Sequence, residues 1–170
     1  LNLGLESLHV RVPRHCENGL AVAKYLKAHD QIEWVTYPGL EGDKYYEVAQ
    51  KYMPNGTCGV VSFGVKGGRA AAEAFMGKLK TAAIETHVAD ARTCCLHPAS
   101  STHRQMSDAE LAAAGVPGDM VRLSCGLESA QDLIDDIERS IAAGFHGFHD
   151  HIAIRNLERF TVFEVLGRQR

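Results

Sequence analysis

The stretch GVVSFGVKGG, Gly59 to Gly68, decides the fold class. Val60, Val61, Phe63 and Val65 are β-branched or aromatic, so Gly59–Val65 reads as a strand. Gly67-Gly68 supplies a turn. Ala72, Phe75, Met76 and Leu79 then recur at helical spacing and predict a helix over 69–80. Strand, turn and helix within some twenty residues is the signature of an α/β domain.

Upstream, Leu5, Leu8, Val12, Leu20, Ala23 and Leu26 fall on one face of a helix over 5–28. Pro13 interrupts it, predicting a kink or a restart with proline in the first turn. Ile32–Tyr37 reads as a strand stopped by Pro38-Gly39, and Asp43 as the cap of a helix over 44–52. Downstream, Thr93–Leu96 reads as a strand. Ser107-Asp108-Ala109-Glu110 is a capping box opening a helix to about Ala114. Val121–Cys125 alternates as a half-buried strand. Ser129 caps a last helix over 130–143, with Leu133, Ile134, Ile137 and Ile141 inward and Gly144 as its stop. Four strands with covering helices predict a two-layer α/β sandwich.

The 170 residues suit one domain with a single core. A hydrophobic share of 45% with 23% charged residues excludes disordered, collagen-like and coiled-coil classes. The net charge of −3 carries no basic excess for nucleic acid. No apolar run approaches the roughly 20 residues of a membrane span. Five cysteines, an odd number without a CxxC pair, read as free thiols of a reducing compartment, by default the cytoplasm. The chain opens on Leu1 in what reads as the middle of a segment, as in a processed chain or a fragment.

Four segments bear on chemistry. HPASSTH, His97 to His103, is either a site loop or a loop whose hydroxyls bond local backbone. Arg122 lies inside an apolar strand, so it faces solvent or binds an anion, for which a small-molecule carboxylate matches the guanidinium fork. VKGG, Val65 to Gly68, is an anion-binding turn or a plain one. His146, His149, Asp150 and His151 form H-x-x-H-D-H, a weak zinc or nickel set or simply a flexible tail. No nucleophile–base or paired-carboxylate spacing stands out. The residues alone give a candidate anion site and no catalytic engine.

ESLHVRVPRHCENGLAVAKYL, VTYPGL, GVVSFGVKGG, HVADARTCCLHPASSTHRQMS, LAAAGV and VRLSCGLES together resemble the C-terminal domain of the Cys/Met-metabolism pyridoxal-phosphate enzymes, most closely the O-acetylhomoserine sulfhydrylases. The resemblance runs from about Leu1 to Ala143. It implies about four mainly antiparallel strands with helices on one face. It also implies pyridoxal 5′-phosphate in the full enzyme, a homo-oligomer, and O-acetyl-L-homoserine with sulfide or methanethiol as substrates. The family's cofactor lysine belongs to a large N-terminal domain, and no lysine here sits in a segment like it, so no cofactor is expected on this chain alone. Carried over by motif, Arg122 matches the arginine that binds the substrate α-carboxylate. Thr102 matches a hydroxyl facing the site. His87 falls where the family has Asn or Ser beside that carboxylate, and Ala89 stands where the family has glycine. Residues 144–170 form a tail without a counterpart in the resemblance. The alternative is a stand-alone, non-catalytic binding module with a metal-binding tail.

Overall fold

The long helix near the start is decided by its second half. In a computed structural model that describes residues 2–144, a short helix α1 (Asn2–Glu6) is followed by α2 (Leu8–Ala28). The restart falls at Ser7, whose carbonyl accepts from Val10 N and Arg11 N, and α2 then runs on through Pro13. The expected break at Pro13 therefore lies one turn and a half earlier. Val22, Ala23 and Leu26 are fully buried, Val22 and Leu26 each contributing about 1.5–3 kcal/mol. The first half of the predicted stripe is not covered: Leu5 is 61% exposed and Val12 40%.

The other elements are β1 (Ile32–Thr36), α3 (Tyr46–Tyr52), β2 (Val60–Val65), α4 (Gly68–Met76), β3 (Ala83–Ile84), β4 (Cys94–Leu96), a 3₁₀ turn (Pro98–Ser100), α5 (Asp108–Ala113), β5 (Met120–Ser124) and α6 (residues 130–144). The helix predicted from 44 starts two residues later, because the Asp43 carboxylate is engaged elsewhere. It accepts from Tyr37 N and Tyr45 N and so fixes the turn ahead of α3. α4 ends at Met76 rather than 80. Gly67 at its start has φ 103°, a conformation open to glycine. The capping box of α5 forms as read, with the Ser107 side chain accepting from Glu110 N and the Glu110 carboxylate accepting from Ser107 N.

The sheet order is β1-β2-β5-β4-β3, and the sheet is mixed. β1–β2, β2–β5 and β5–β4 are antiparallel, while β3 runs parallel to β4. This corrects the expected four-stranded, mainly antiparallel sheet. The missed strand is two residues long, too short to show a period of two. The core gathers Val61, Phe63 and Val65 of β2 with Val121 and Leu123 of β5, Val22 and Leu26 of α2, Phe75 of α4 and Ile137 of α6. Gly64 of β2 is glycine because the Trp34–Asp119 hydrogen bond crosses directly over it. A Cβ there would lie 2.1 Å from both Asp119 Oδ2 and Trp34 Nε1.

Buried Asp136 on α6 bolts that helix to the chain entering β3. Its carboxylate accepts from Lys80 N, Thr81 N and Ala82 N at 2.8–3.3 Å and pairs with Arg139. Beyond β3, residues 85–92 cross to the face of β5 that carries Ser124. There Ala89 N donates to Ser124 Oγ at 3.2 Å, with Ala89 at φ 59°. A left-handed alanine costs roughly 1–2 kcal/mol.

Two stability predictions result. Asp136→Ala leaves three amides without their acceptor, and a destabilisation of about 3 kcal/mol is expected in the urea midpoint. Loss below about 1 kcal/mol would show that water replaces the carboxylate. At position 89 the expected order is Gly above Ala above Val. Glycine gains about 0.5 kcal/mol after its unfolded-state entropy, and a β-branched side chain loses more than 1 kcal/mol. Equal midpoints for the three would contradict the left-handed turn.

Candidate functional site

β5 is the central strand, and its alternation sets the site. Val121 and Leu123 are fully buried in the core, so Arg122 and Ser124 stand on the opposite face. Arg122 pairs across the sheet with Ser62 of β2 and Leu96 of β4. Its Nη2 donates to the Thr86 carbonyl at 2.9 Å. Its Nε is buried and has no hydrogen-bond partner among the described residues. A buried donor left unmade costs about 1–3 kcal/mol, more when charged, so an acceptor that reaches this guanidinium is strongly favoured.

Two of the β5 residues on this face hold the 85–92 loop, Arg122 through the Thr86 carbonyl and Ser124 through Ala89 N. From the other side, Arg11 of α2 donates to the Ala89 carbonyl at 3.4 Å. His87 is therefore brought onto the same loop as the backbone partner of Arg122. Its ring is 62% exposed and turned to carboxylates, with Nδ1 3.0 Å from Glu85 Oε2 and 3.8 Å from Asp90 Oδ2. Thr102 lies in the exposed turn after the 3₁₀ segment and hydrogen-bonds His103 Nδ1 at 2.9 Å. Among the described residues no hydrogen bond joins Thr102 to Arg122.

The remaining HPASSTH groups do structural work. His97 is buried, with Nδ1 2.7 Å from Ser100 Oγ and Nε2 2.8 Å from the Gly118 carbonyl, so both ring nitrogens are used. Ser101 Oγ donates back to the His97 carbonyl. VKGG forms the turn into α4, with Gly67 in the left-handed region. The H-x-x-H-D-H set of His146, His149 and His151 lies outside the described residues.

Burial disfavours the thiolate form of Cys94, Cys95 and Cys125. Burial pushes the Cys125 thiol up to about 12 and raises Cys95 as well. Cys94 is raised by burial and then by the neighbouring carboxylates of Glu85, Asp90 and Glu128. All seven lysines are exposed. Lysines used for covalent chemistry are commonly desolvated in a pocket, and these exposed positions lack such enclosure. The sequence reading missed Glu85, Cys94 and Ser124. Only the folding of β3 beside β4 and the crossing of the 85–92 loop bring them to the same place.

The chain aligns with relatives of known name over this whole region. It is 44% identical over 140 residues to an O-acetyl-L-homoserine sulfhydrylase of Thermus thermophilus, covering 82% of this chain and 33% of that protein. It is 41% identical over 138 residues to the homocysteine synthase of Schizosaccharomyces pombe, covering 81% and 32%. A crystal structure described as an O-acetylhomoserine (thiol)-lyase from Campylobacter jejuni, which contains N′-pyridoxyl-lysine-5′-monophosphate, superposes with a TM-score of 0.78 at 36% identity, over 82% of this chain and 33% of that one. The chain thus spans about a third of the length of the relatives it matches. The sequence profile of the Cys/Met metabolism PLP-dependent enzymes matches residues 1–142, and the chain belongs to that family.

Proposed function

We propose that residues 1–143 are the C-terminal, substrate-carboxylate-binding domain of a pyridoxal-phosphate-dependent O-acetylhomoserine sulfhydrylase, followed by residues 144–170 as a tail of unrecognised origin. The reaction replaces the acetate of O-acetyl-L-homoserine with sulfide or methanethiol, giving homocysteine or methionine. The observation that carries this reading is the buried Nε of Arg122 on the central strand, without a hydrogen-bond partner among the described residues, together with the names of the relatives.

Arg122 holds the α-carboxylate in this reading. The Thr86 carbonyl, bonded to Nη2, sets the plane of the guanidinium before substrate arrives. That orientation turns a loose encounter into an aligned one. His87 and Thr102 complete the substrate side of the site once the loops meet the rest of the enzyme. The cofactor, which stabilises carbanionic character at the substrate, is held by a lysine outside this chain.

The sheet is read as one layer of a two-layer sandwich, with α2, α4 and α6 on the face of Val61 and Leu123. The uncovered stripe of Leu5, Leu8 and Val12 lines a cleft with Tyr52 and Met53. Apolar surface of this kind is characteristic of a contact face, here toward the remaining two thirds of the enzyme or within a homo-oligomer. The five free thiols suit the cytoplasm. No helix among the described residues is long and apolar enough to cross a membrane.

In the full-length enzyme Arg122→Lys keeps the charge and loses the fork. The expected loss in kcat/KM is about thirty-fold to several-thousand-fold, the equivalent of about 2–5 kcal/mol. His87→Asn is expected to lose less, because its ring is exposed and already paired with carboxylates. A near-wild-type Arg122→Lys, or a His87→Asn that is the more damaged, would sink the assignment. For the chain by itself, borohydride reduction with pyridoxal phosphate followed by intact-mass analysis is expected to show no stoichiometric label on a single lysine. Such a label would place the cofactor lysine inside this chain.

A further inference from the structure

The parallel pair β3–β4 sets Ala83 opposite Cys94 and Ile84 opposite Cys95. Glu85 N continues the pairing by donating to the Cys95 carbonyl at 3.2 Å. Cys95 points into the core, so its neighbour Cys94 points to the other face, where the 85–92 loop lies. The loop turns back so that His87 Nδ1 sits 3.0 Å from Glu85 Oε2, and the Cys94 Sγ lies 4.0 Å from the same oxygen. One donor atom each from Glu85, His87 and Cys94 falls within 4.8 Å of the others. Asp90 Oδ2 is 3.8 Å from His87 Nδ1.

We propose that Glu85, His87 and Cys94, with Asp90 or a water as fourth ligand, bind a borderline-soft divalent cation of the Zn²⁺ type. A tetrahedral site with bonds of about 2.0–2.3 Å has ligand atoms roughly 3.3–3.8 Å apart. The observed separations bracket that range, so closure needs shifts of an ångström or less rather than a refolded loop. Thiolate, imidazole and carboxylate together favour Zn²⁺ over the hard cations Mg²⁺ and Ca²⁺. The charge balance agrees. The carboxylates of Glu85 and Asp90 both face the His87 ring, so negative charge gathers where the cation would sit. On binding, the Cys94 S–H bond breaks, a sulfur–metal bond forms and the proton leaves to solvent. His87 ligates through the Nδ1 lone pair, and the proton that Nδ1 shares with the Glu85 carboxylate is released to solvent or to Nε2.

All ligands lie between residues 85 and 94, so the cation pins the segment that carries the Thr86 carbonyl and Ala89. It is therefore a loop clamp beside Arg122, and it stands whether or not Arg122 binds a substrate carboxylate.

The test uses the full chain, reduced, with His146→Ala, His149→Ala and His151→Ala to remove the tail donors, titrated with Co²⁺ and then Zn²⁺. One equivalent of Co²⁺ should give intense four-coordinate visible bands and a thiolate-to-cobalt charge-transfer band, both displaced by one equivalent of Zn²⁺ and not by excess Mg²⁺. Cys94→Ser should abolish the charge-transfer band with far-UV circular dichroism unchanged, and Cys58→Ser should leave it intact. His87→Ala, at an exposed position that cannot threaten the fold, should weaken binding at least about tenfold. The proposal fails if no charge-transfer band appears, if the band survives Cys94→Ser, or if His87→Ala binds less than tenfold weaker. If Cys94→Ser does not fold, the His87→Ala result decides.

Discussion

The register of β5 is the constraint on which the rest depends. Leu123 faces Val61 of β2 and Cys95 of β4, all three fully buried, while Arg122 faces Ser62 and Leu96. A slip of one residue would turn Leu123 and Val121 out of the core and drive the Arg122 charge into it. Two fully buried aliphatic side chains and one uncompensated charge therefore select the same pairing. The arginine reaches its place because the hydrophobic pattern of its neighbours leaves it no other. The same alternation puts Ser124 beside it, so the fold that positions the guanidinium also supplies the hydroxyl that anchors the 85–92 loop.

What keeps that strand in place at its end is polar. Glu128, just past β5, accepts from Thr93 N and Thr93 Oγ1, and the same Thr93 hydroxyl accepts from Gly126 N. Asn18 of α2 donates to the Gly126 and Glu128 carbonyls, and His15 Nδ1 bonds the Cys125 carbonyl at 2.7 Å. One turn is thereby fastened to β4 and to α2 at once. Each such bond contributes only about 1 kcal/mol net, but the cost of leaving any of these buried groups unmade is larger. The network therefore acts more on specificity than on raw stability, by penalising every arrangement in which α2 docks elsewhere.

The elements with long or strongly patterned apolar runs were legible in the sequence. β2, β5, α2, α5 and α6 follow from periodicity and caps, each signal being local and repeated. β3 was not legible, because two residues carry no period and its pairing with β4 is a tertiary event. The burial of the α2 stripe was legible only in part: spacing predicts a face, but not what covers it, and Leu5 and Val12 remain exposed. Within the site, Arg122 was legible because a charge inside an apolar strand demands an explanation. Glu85 and Cys94 carried no such mark. A glutamate in a loop and a cysteine in a strand are ordinary until the parallel pair sets them side by side. His97 fits the second of the two readings of its loop, a histidine amid hydroxyls whose nitrogens are consumed in holding the 98–101 turn against Gly118.

Ala89 connects these levels. A left-handed backbone at a residue with a Cβ persists only where the surroundings over-determine it. Here they do so from three directions. Ser124 takes its N–H, Arg11 reaches its carbonyl, and Arg122 holds the Thr86 carbonyl three residues earlier. The strained turn directs the segment back toward β4, so that His87 and Asp90 come to lie near Glu85 and the buried Cys94. Strain at one residue, a guanidinium held by its backbone partner and a cluster of metal-type donors are thus consequences of a single loop path. That path follows in turn from the face on which β5 presents Arg122 and Ser124.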